Sequence, residues 1–492
     1  MKTIATVDLP AHVQVPSYDR AQLRSKIVHI GFGAFHRAHQ ALILDRVLEQ
    51  QSSDWGYCEV NLFGGEQLIK DLRAQDHLFC VAELGAQSTD YKVVSSVNES
   101  LHVSLDGTQA IINKMAEPQV AIISMTITEK GYCIESGSGR LDLNNPLVLS
   151  DLATPDEPKS ALGFIVAALA MRRKLGLNAF SVMSCDNIPE NGHLAKAAIL
   201  DFAKQLDGEF ASWIESNVSF PSTMVDRIVP AATPETLASI EVALDVADPV
   251  AIACEPFLQW VIEDNFVAGR PQWELGGAQL VDDVIPYEEM KLRMLNGSHS
   301  FLAYLGYLAG YPHISDTMAD QQFKDAAHQL MINEQATTLS MPEGTDLQAY
   351  ARLLIERFTN PSLKHRTWQI AMDGSQKLPQ RFVDSILYHR ERKQAHPLLT
   401  LGLAGWIRYI GGVDEQGKAI DVQDPMLTQF KDIYNTSEDD IVARVLSLPS
   451  IFGNTLSHDK NFVSEVQNAY LLLKAKGAKQ CVASTNTTNA SF

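Results

Sequence analysis

Ile27-Val28-His29-Ile30-Gly31-Phe32-Gly33-Ala34-Phe35-His36-Arg37-Ala38-His39-Gln40 is the stretch on which the fold turns. Its first four residues read as a short strand, the two glycines as a turn, and the segment running on to about residue 50 as a helix. That order opens a dinucleotide-binding unit, because glycines admit a pyrophosphate to the backbone and a helix start attracts it. Gly31, Phe32, Gly33, Ala34, Phe35 and His36 are the candidate cofactor contacts. His36 stands where G-x-G-x-x-G has its third glycine, so the motif alone does not separate a cofactor site from an ordinary tight turn.

The chain beyond it tips the balance. Strand-like runs at 57–63, 78–84, 92–97, 120–128 and 179–183 alternate with helix-like runs at 66–75 and 160–175. Such alternation predicts an α/β fold with an open, mainly parallel, doubly wound sheet. In such sheets an acidic residue after the second strand holds the adenosine ribose of NAD. Glu66 is the nearest carboxylate, with Glu59 earlier, and no arginine stands there to meet a 2′-phosphate, which favours NAD over NADP.

With 492 residues, 46% hydrophobic and 20% charged, two large domains of a soluble globular protein are expected. A net charge of -19 argues against nucleic acid or an anionic membrane as partner, and leaves a small anionic substrate open. Six scattered cysteines without a C-x-x-C pair, and no apolar leader or spanning run, predict a cytoplasmic setting with free thiols. Residues 484–492 read as a frayed polar tail. A monomer or a small homo-oligomer are both compatible with this composition.

Thr128-Glu129-Lys130-Gly131-Tyr132 and Ser184-Cys185-Asp186-Asn187 follow strand ends, where α/β enzymes place ligand contacts, although turn chemistry alone also explains such residues. In the second half, residues 288–299 read as one amphipathic helix. At about 100° per residue, Lys291, Glu288, His299 and Asn296 fall at roughly 0°, 60°, 80° and 140°. An amine, a carboxylate, an imidazole and an amide on one face suit proton transfer at an oxygen. Met290, Leu292, Met294 and Leu295 between them predict burial, which strips water from the amine and lowers its pKa.

Lys291-x4-Asn296-x2-His299 resembles the signature of the polyol-specific long-chain dehydrogenases, the mannitol dehydrogenase family. The loops 31–40, 128–132 and 184–187 resemble that family in order and spacing. Segments 228–236, 259–266 and 365–377 resemble its sugar-acid branch, which interconverts D-fructuronate and D-mannonate. The resemblance implies an NAD-binding Rossmann-type domain, 1–280, and a mostly helical substrate and catalytic domain, 281–492. It implies Lys291 as general acid and base, Asn187 and Asn296 as amide donors, and His299 as a substrate-orienting group. It further implies Asp226 and Lys377 as substrate contacts, with Glu129 and Glu288 in proton passage or gating. Of the arginines near Lys377, Arg366 is favoured over Arg381 as a grip for the substrate's carboxylate. No catalytic metal is expected, since H-E-x-x-H and zinc-spaced Cys/His clusters are missing from the sequence. A hexitol and ketohexose pair, or tagaturonate, is the alternative substrate.

Overall fold

Strand β1 (Arg24–Ile30) lies at the centre of a five-stranded sheet with β2 (Trp55–Asn61), β3 (Val97–His102), β4 (Ile122–Met125) and β5 (Ser181–Ser184). All pairings are parallel and the order is β3-β2-β1-β4-β5, the Rossmann arrangement. Successive side chains alternate between the faces. Val28, Ile30, Cys58, Val60, Ile123 and Val182 therefore enter one core, and Ile27, Tyr57, Ile122 and Met183 the other. Helices cover both faces, which is why the strands read as nearly continuous apolar runs. Ser160 caps the helix Ala161–Leu175, its Oγ accepting from Gly163 N at 3.0 Å.

The computed structural model describes residues 2–135, 139–435 and 440–489, and the chain divides into two units, 1–284 and 285–492. In the first unit, the run expected as one strand at 92–97 belongs to two. Thr89–Val94 pairs antiparallel with Phe79–Leu84 in a separate four-stranded sheet, while Val97 begins β3. The hidden boundary is polar and buried: Ser95 N donates to Asp45 Oδ1 at 2.9 Å and Ser96 Oγ to the Ala41 carbonyl at 2.8 Å. A strand carrying Asn98, Glu99 and Ser100 at the sheet's edge has no apolar alternation to betray it.

The second unit is mostly helical. Ser298–Leu308 packs against Pro397–Ile410, which packs against Lys460–Asn489. Three π-helical stretches, Lys291–Gly297, Leu330–Gln335 and Pro379–Val383, occur among the described residues, and the first packs on both of the others. The tail expected to fray is helical to Asn489, with Cys481 and Val482 buried and Asn486 Nδ2 donating to the Gln322 carbonyl at 2.7 Å. Residues 490–492 lie outside the described residues. All six cysteines are buried free thiols. No helix among the described residues is long and apolar enough to cross a membrane.

Candidate active site

At the end of β1, Gly31 adopts φ +108, and a Cβ there would collide with the Thr126 carbonyl oxygen. Gly33, in contrast, is exposed, and a Cβ on it would approach nothing nearer than the Gly31 oxygen at 3.7 Å. The first glycine thus lets the turn close against the β4 loop, and the second leaves open space for a ligand. Phe32 is buried, and its N–H donates to Asn61 Oδ1 at 2.8 Å, so the end of β2 holds the turn's shape. Ala34 and Phe35 begin a helix of five residues, Ala34–Ala38, both half-buried.

Beneath the turn lies a polar row that no local pattern reveals. Register pairs His29 with Glu59 on one side and Ser124 on the other, so all three point to the same face. His36 descends onto them: its ring stacks on His29 at 3.5 Å and its Nε2 lies 2.9 Å from Glu59 Oε1. Burial holds the His36 imidazole down to about 3 and pushes the Glu59 carboxyl up to about 8. Near neutral pH the contact is therefore a neutral hydrogen bond. His36 Nδ1 faces Gln40 Oε1 at 3.2 Å and donates to it, leaving Nε2 to accept from the Glu59 hydroxyl. A second chain runs from Ser124 Oγ to His29 Nδ1 (2.8 Å), His29 Nε2 to Thr126 Oγ1 (2.9 Å), and Thr126 Oγ1 to the Gly31 carbonyl (2.9 Å). His29, His36 and Glu59 each offer a ligand atom within 4.8 Å of the others. Rings stacked at 15° direct their in-plane lone pairs in parallel, which does not converge on one ion. The imidazole at the third-glycine position is a structural group filling the helix–strand contact.

Glu66 heads the helix Glu66–Ala74, exposed, with its carboxylate on Lys70 Nζ at 2.5 Å and Ser104 Oγ at 3.0 Å. The loops after β4 and β5 are pinned together by Asp186. Its carboxylate accepts from Ile127 N (3.0 Å), Thr128 N (2.8 Å) and Tyr132 OH (2.7 Å). Glu129 and Asn187 are exposed on these two loops. Asp226 is buried at the end of strand Thr223–Asp226. Its neighbour Arg227 turns to Glu83 and to the carbonyls of Ala38 and Glu255.

In the second unit the helix expected over 288–299 changes its winding. Ile285–Met290 is α-helical and carries the half-buried Glu288, but Lys291–Gly297 is a π-helix. At about 4.4 residues per turn, Asn296 comes to within about 50° of Lys291 rather than about 140°. The five-residue spacing is one π turn, so the wider winding stacks the amide almost over the amine. Lys291 is 7% exposed and His299 8%, with Asn296 half-buried between them. His299 stacks on Phe358 at 4.8 Å, and its Nε2 bonds no protein group. Burial first, then His365 and the cations Arg381, Arg357 and Lys377, hold this imidazole neutral. Lys377 donates to the Met372 carbonyl at 2.6 Å, and burial beside Arg381 brings its ammonium down to about 8. Arg366 stands apart from this group. It is exposed and lines a surface cavity with Tyr307, His313 and Trp368.

Residues 25–275 match the mannitol dehydrogenase Rossmann domain and residues 283–474 the mannitol dehydrogenase C-terminal domain. The chain belongs to the mannitol dehydrogenase family. Among its relatives is D-mannonate oxidoreductase of Escherichia coli (strain K12), 59% identical over 98% of this chain and 100% of that protein. The solved mannitol 2-dehydrogenase of Pseudomonas fluorescens, a ternary complex with NAD and D-mannitol, is 38% identical with a TM-score of 0.82 over 97% of both chains. A substrate-free D-sorbitol dehydrogenase is 33% identical with a TM-score of 0.91, over 96% of this chain and 98% of that one. The expected oxidoreductase class, and the Rossmann-type fold joined to a mostly helical one, hold. Sequence reading missed the alignment of Glu59 and Ser124 with His29, the role of Asp186 and the cation Arg357 near His299, and it ranked Arg381 below Arg366.

Proposed function

We propose that the protein interconverts D-fructuronate and D-mannonate with NAD as its cofactor. The observation that carries this reading is the 59% identity, over essentially the whole chain, to D-mannonate oxidoreductase. The glycine turn fits the cofactor, since Gly31 closes it and the open side of Gly33 leaves room for a pyrophosphate, and a relative of 38% identity binds NAD. Bound there, the nicotinamide supplies or accepts the hydride. Glu66 is the carboxylate assigned to the adenosine ribose.

Lys291 gives the proton to the carbonyl oxygen during reduction and takes it back from the hydroxyl during oxidation. Asn296, stacked above it by the π turn, and Asn187 donate hydrogen bonds to that oxygen as negative charge develops. Amine and amides do this in place of a Lewis-acid metal. His299, held neutral with a free Nε2, orients a hydroxyl of the substrate. Asp226 and Lys377 are further substrate contacts, and Glu129 and Glu288 serve proton passage and gating. The buried free thiols suit a cytoplasmic enzyme.

The mannitol complex supports a second reading with the same chemistry, in which the substrate is a hexitol and ketohexose pair. NADH oxidation measured in parallel with fructuronate, tagaturonate and fructose, and repeated with NADPH, separates them. A strong preference for fructuronate with NADH is expected. A preference for fructose overturns the sugar-acid assignment.

A further inference from the structure

Arg381 is a half-buried cation for which the described residues provide no anion. It sits on the π-helix Pro379–Val383, packed against Lys291–Gly297. Its Nη1 donates to Ser300 Oγ at 2.9 Å and to the Asn296 carbonyl at 3.4 Å, either side of His299. Among the described residues no carboxylate lies within ion-pair distance, and its remaining N–H groups bond no acceptor there. Burial brings the guanidinium down to about 10, and the Tyr304 hydroxyl is the one neighbour that counters this.

Its other close company is positive. Lys377 and Arg357 share its electrostatic surroundings near His299, while burial lowers the His365 imidazole and leaves it neutral. Asp373 and Asp424 offset part of the charge on Lys377, and Asp424 also accepts from Ser375 N–H and Oγ at 2.8 and 2.6 Å; neither carboxylate pairs with Arg381 among the described residues. Gathering like charges away from water is unfavourable without a counter-charge. A guanidinium with unused donors matches a carboxylate in two parallel hydrogen bonds. Arg366, exposed in the surface cavity with Trp368, has no such setting.

The geometry points to Arg381, with Lys377 beside it, as the group that takes the carboxylate of a sugar-acid substrate and sets preference for it over an uncharged ketose. This rests on the fructuronate reading above. Arg381 does not move the proton or the hydride.

The test is R381Q and R381K, with kcat and KM determined for fructuronate and fructose. R381Q is expected to raise KM for fructuronate about 10- to 100-fold, the worth of one charged hydrogen-bond pair. The ratio of kcat/KM for fructuronate to that for fructose falls at least tenfold. R381K, a point charge without the fork, recovers part of the ratio. A purely structural tether at the Asn296 carbonyl predicts instead that kcat falls alike for both substrates, and that result overturns the inference. If R381Q does not accumulate folded, an unchanged ratio in R381K overturns it equally. Wild type that reduces fructose and not fructuronate sinks the functional reading first, before any variant is made.

Discussion

Replacing Gly297 with alanine is the sharpest probe of how the segment Lys291–Gly297 is held. Gly297 closes the π-helix at φ -66 and ψ -53, where alanine is at ease. In an unobstructed helix the exchange stabilises by about 0.4–1 kcal/mol. Here the new Cβ would lie 2.8 Å from the Arg381 carbonyl oxygen, and nearer still to Gln335 Nε2. Neither yields easily: one is backbone, and Gln335 is fully buried on the neighbouring π-helix. Overpacking of that kind costs about 1–3 kcal/mol. The net effect is a loss of roughly 0–2.5 kcal/mol, or a Tm lower by up to about 10 °C for a unit of this size. The strain acts on Asn296, one residue away, so kcat should fall by about tenfold or more. Differential scanning calorimetry and steady-state turnover on the same preparation check both. A raised Tm with unchanged kcat would refute the claim that close packing of the three π turns sets the position of Asn296.

Lys291→Ala should lower turnover about 10²- to 10⁴-fold while NADH still binds, measured by fluorescence titration; near wild-type turnover would end the lysine mechanism. Because burial brings the Lys377 ammonium down to about 8, KM for fructuronate should climb as pH rises through that value and KM for fructose should not. Parallel pH profiles that do not differ between the two substrates argue against a charge role for Lys377. Glu59 has its carboxyl raised from 4.5 to about 8, so the folded chain keeps a proton that the unfolded chain releases. That contribution to stability is full below about pH 4.5 and lost as pH rises through about 8. E59Q should therefore lose less Tm than wild type between about pH 6 and pH 8.5, and equal losses count against a protonated Glu59.

Much of this was visible along the chain because it is local. A strand, two glycines and a helix start stand within fourteen residues, and their conformations follow from residue type and burial alone. Lys291, Asn296 and His299 were likewise legible as a set, since nine residues hold all three. Their angular relation was not, because α and π windings differ by one residue per hydrogen bond, and packing against Leu330–Gln335 and Pro379–Val383 accompanies the wider one. His36 looked like a defect in a glycine motif until register placed Glu59 and His29 beneath it. The two arginines show the same limit most plainly. Fifteen residues apart, they differ on paper only in their sequence neighbours, which favour Arg366. Order along the chain was enough for the fold class and the family, because each depends on neighbours in sequence. Which arginine loses its water beside His299, and which stays in solvent beside Trp368, depends on contacts between distant segments, and only the folded chain makes those.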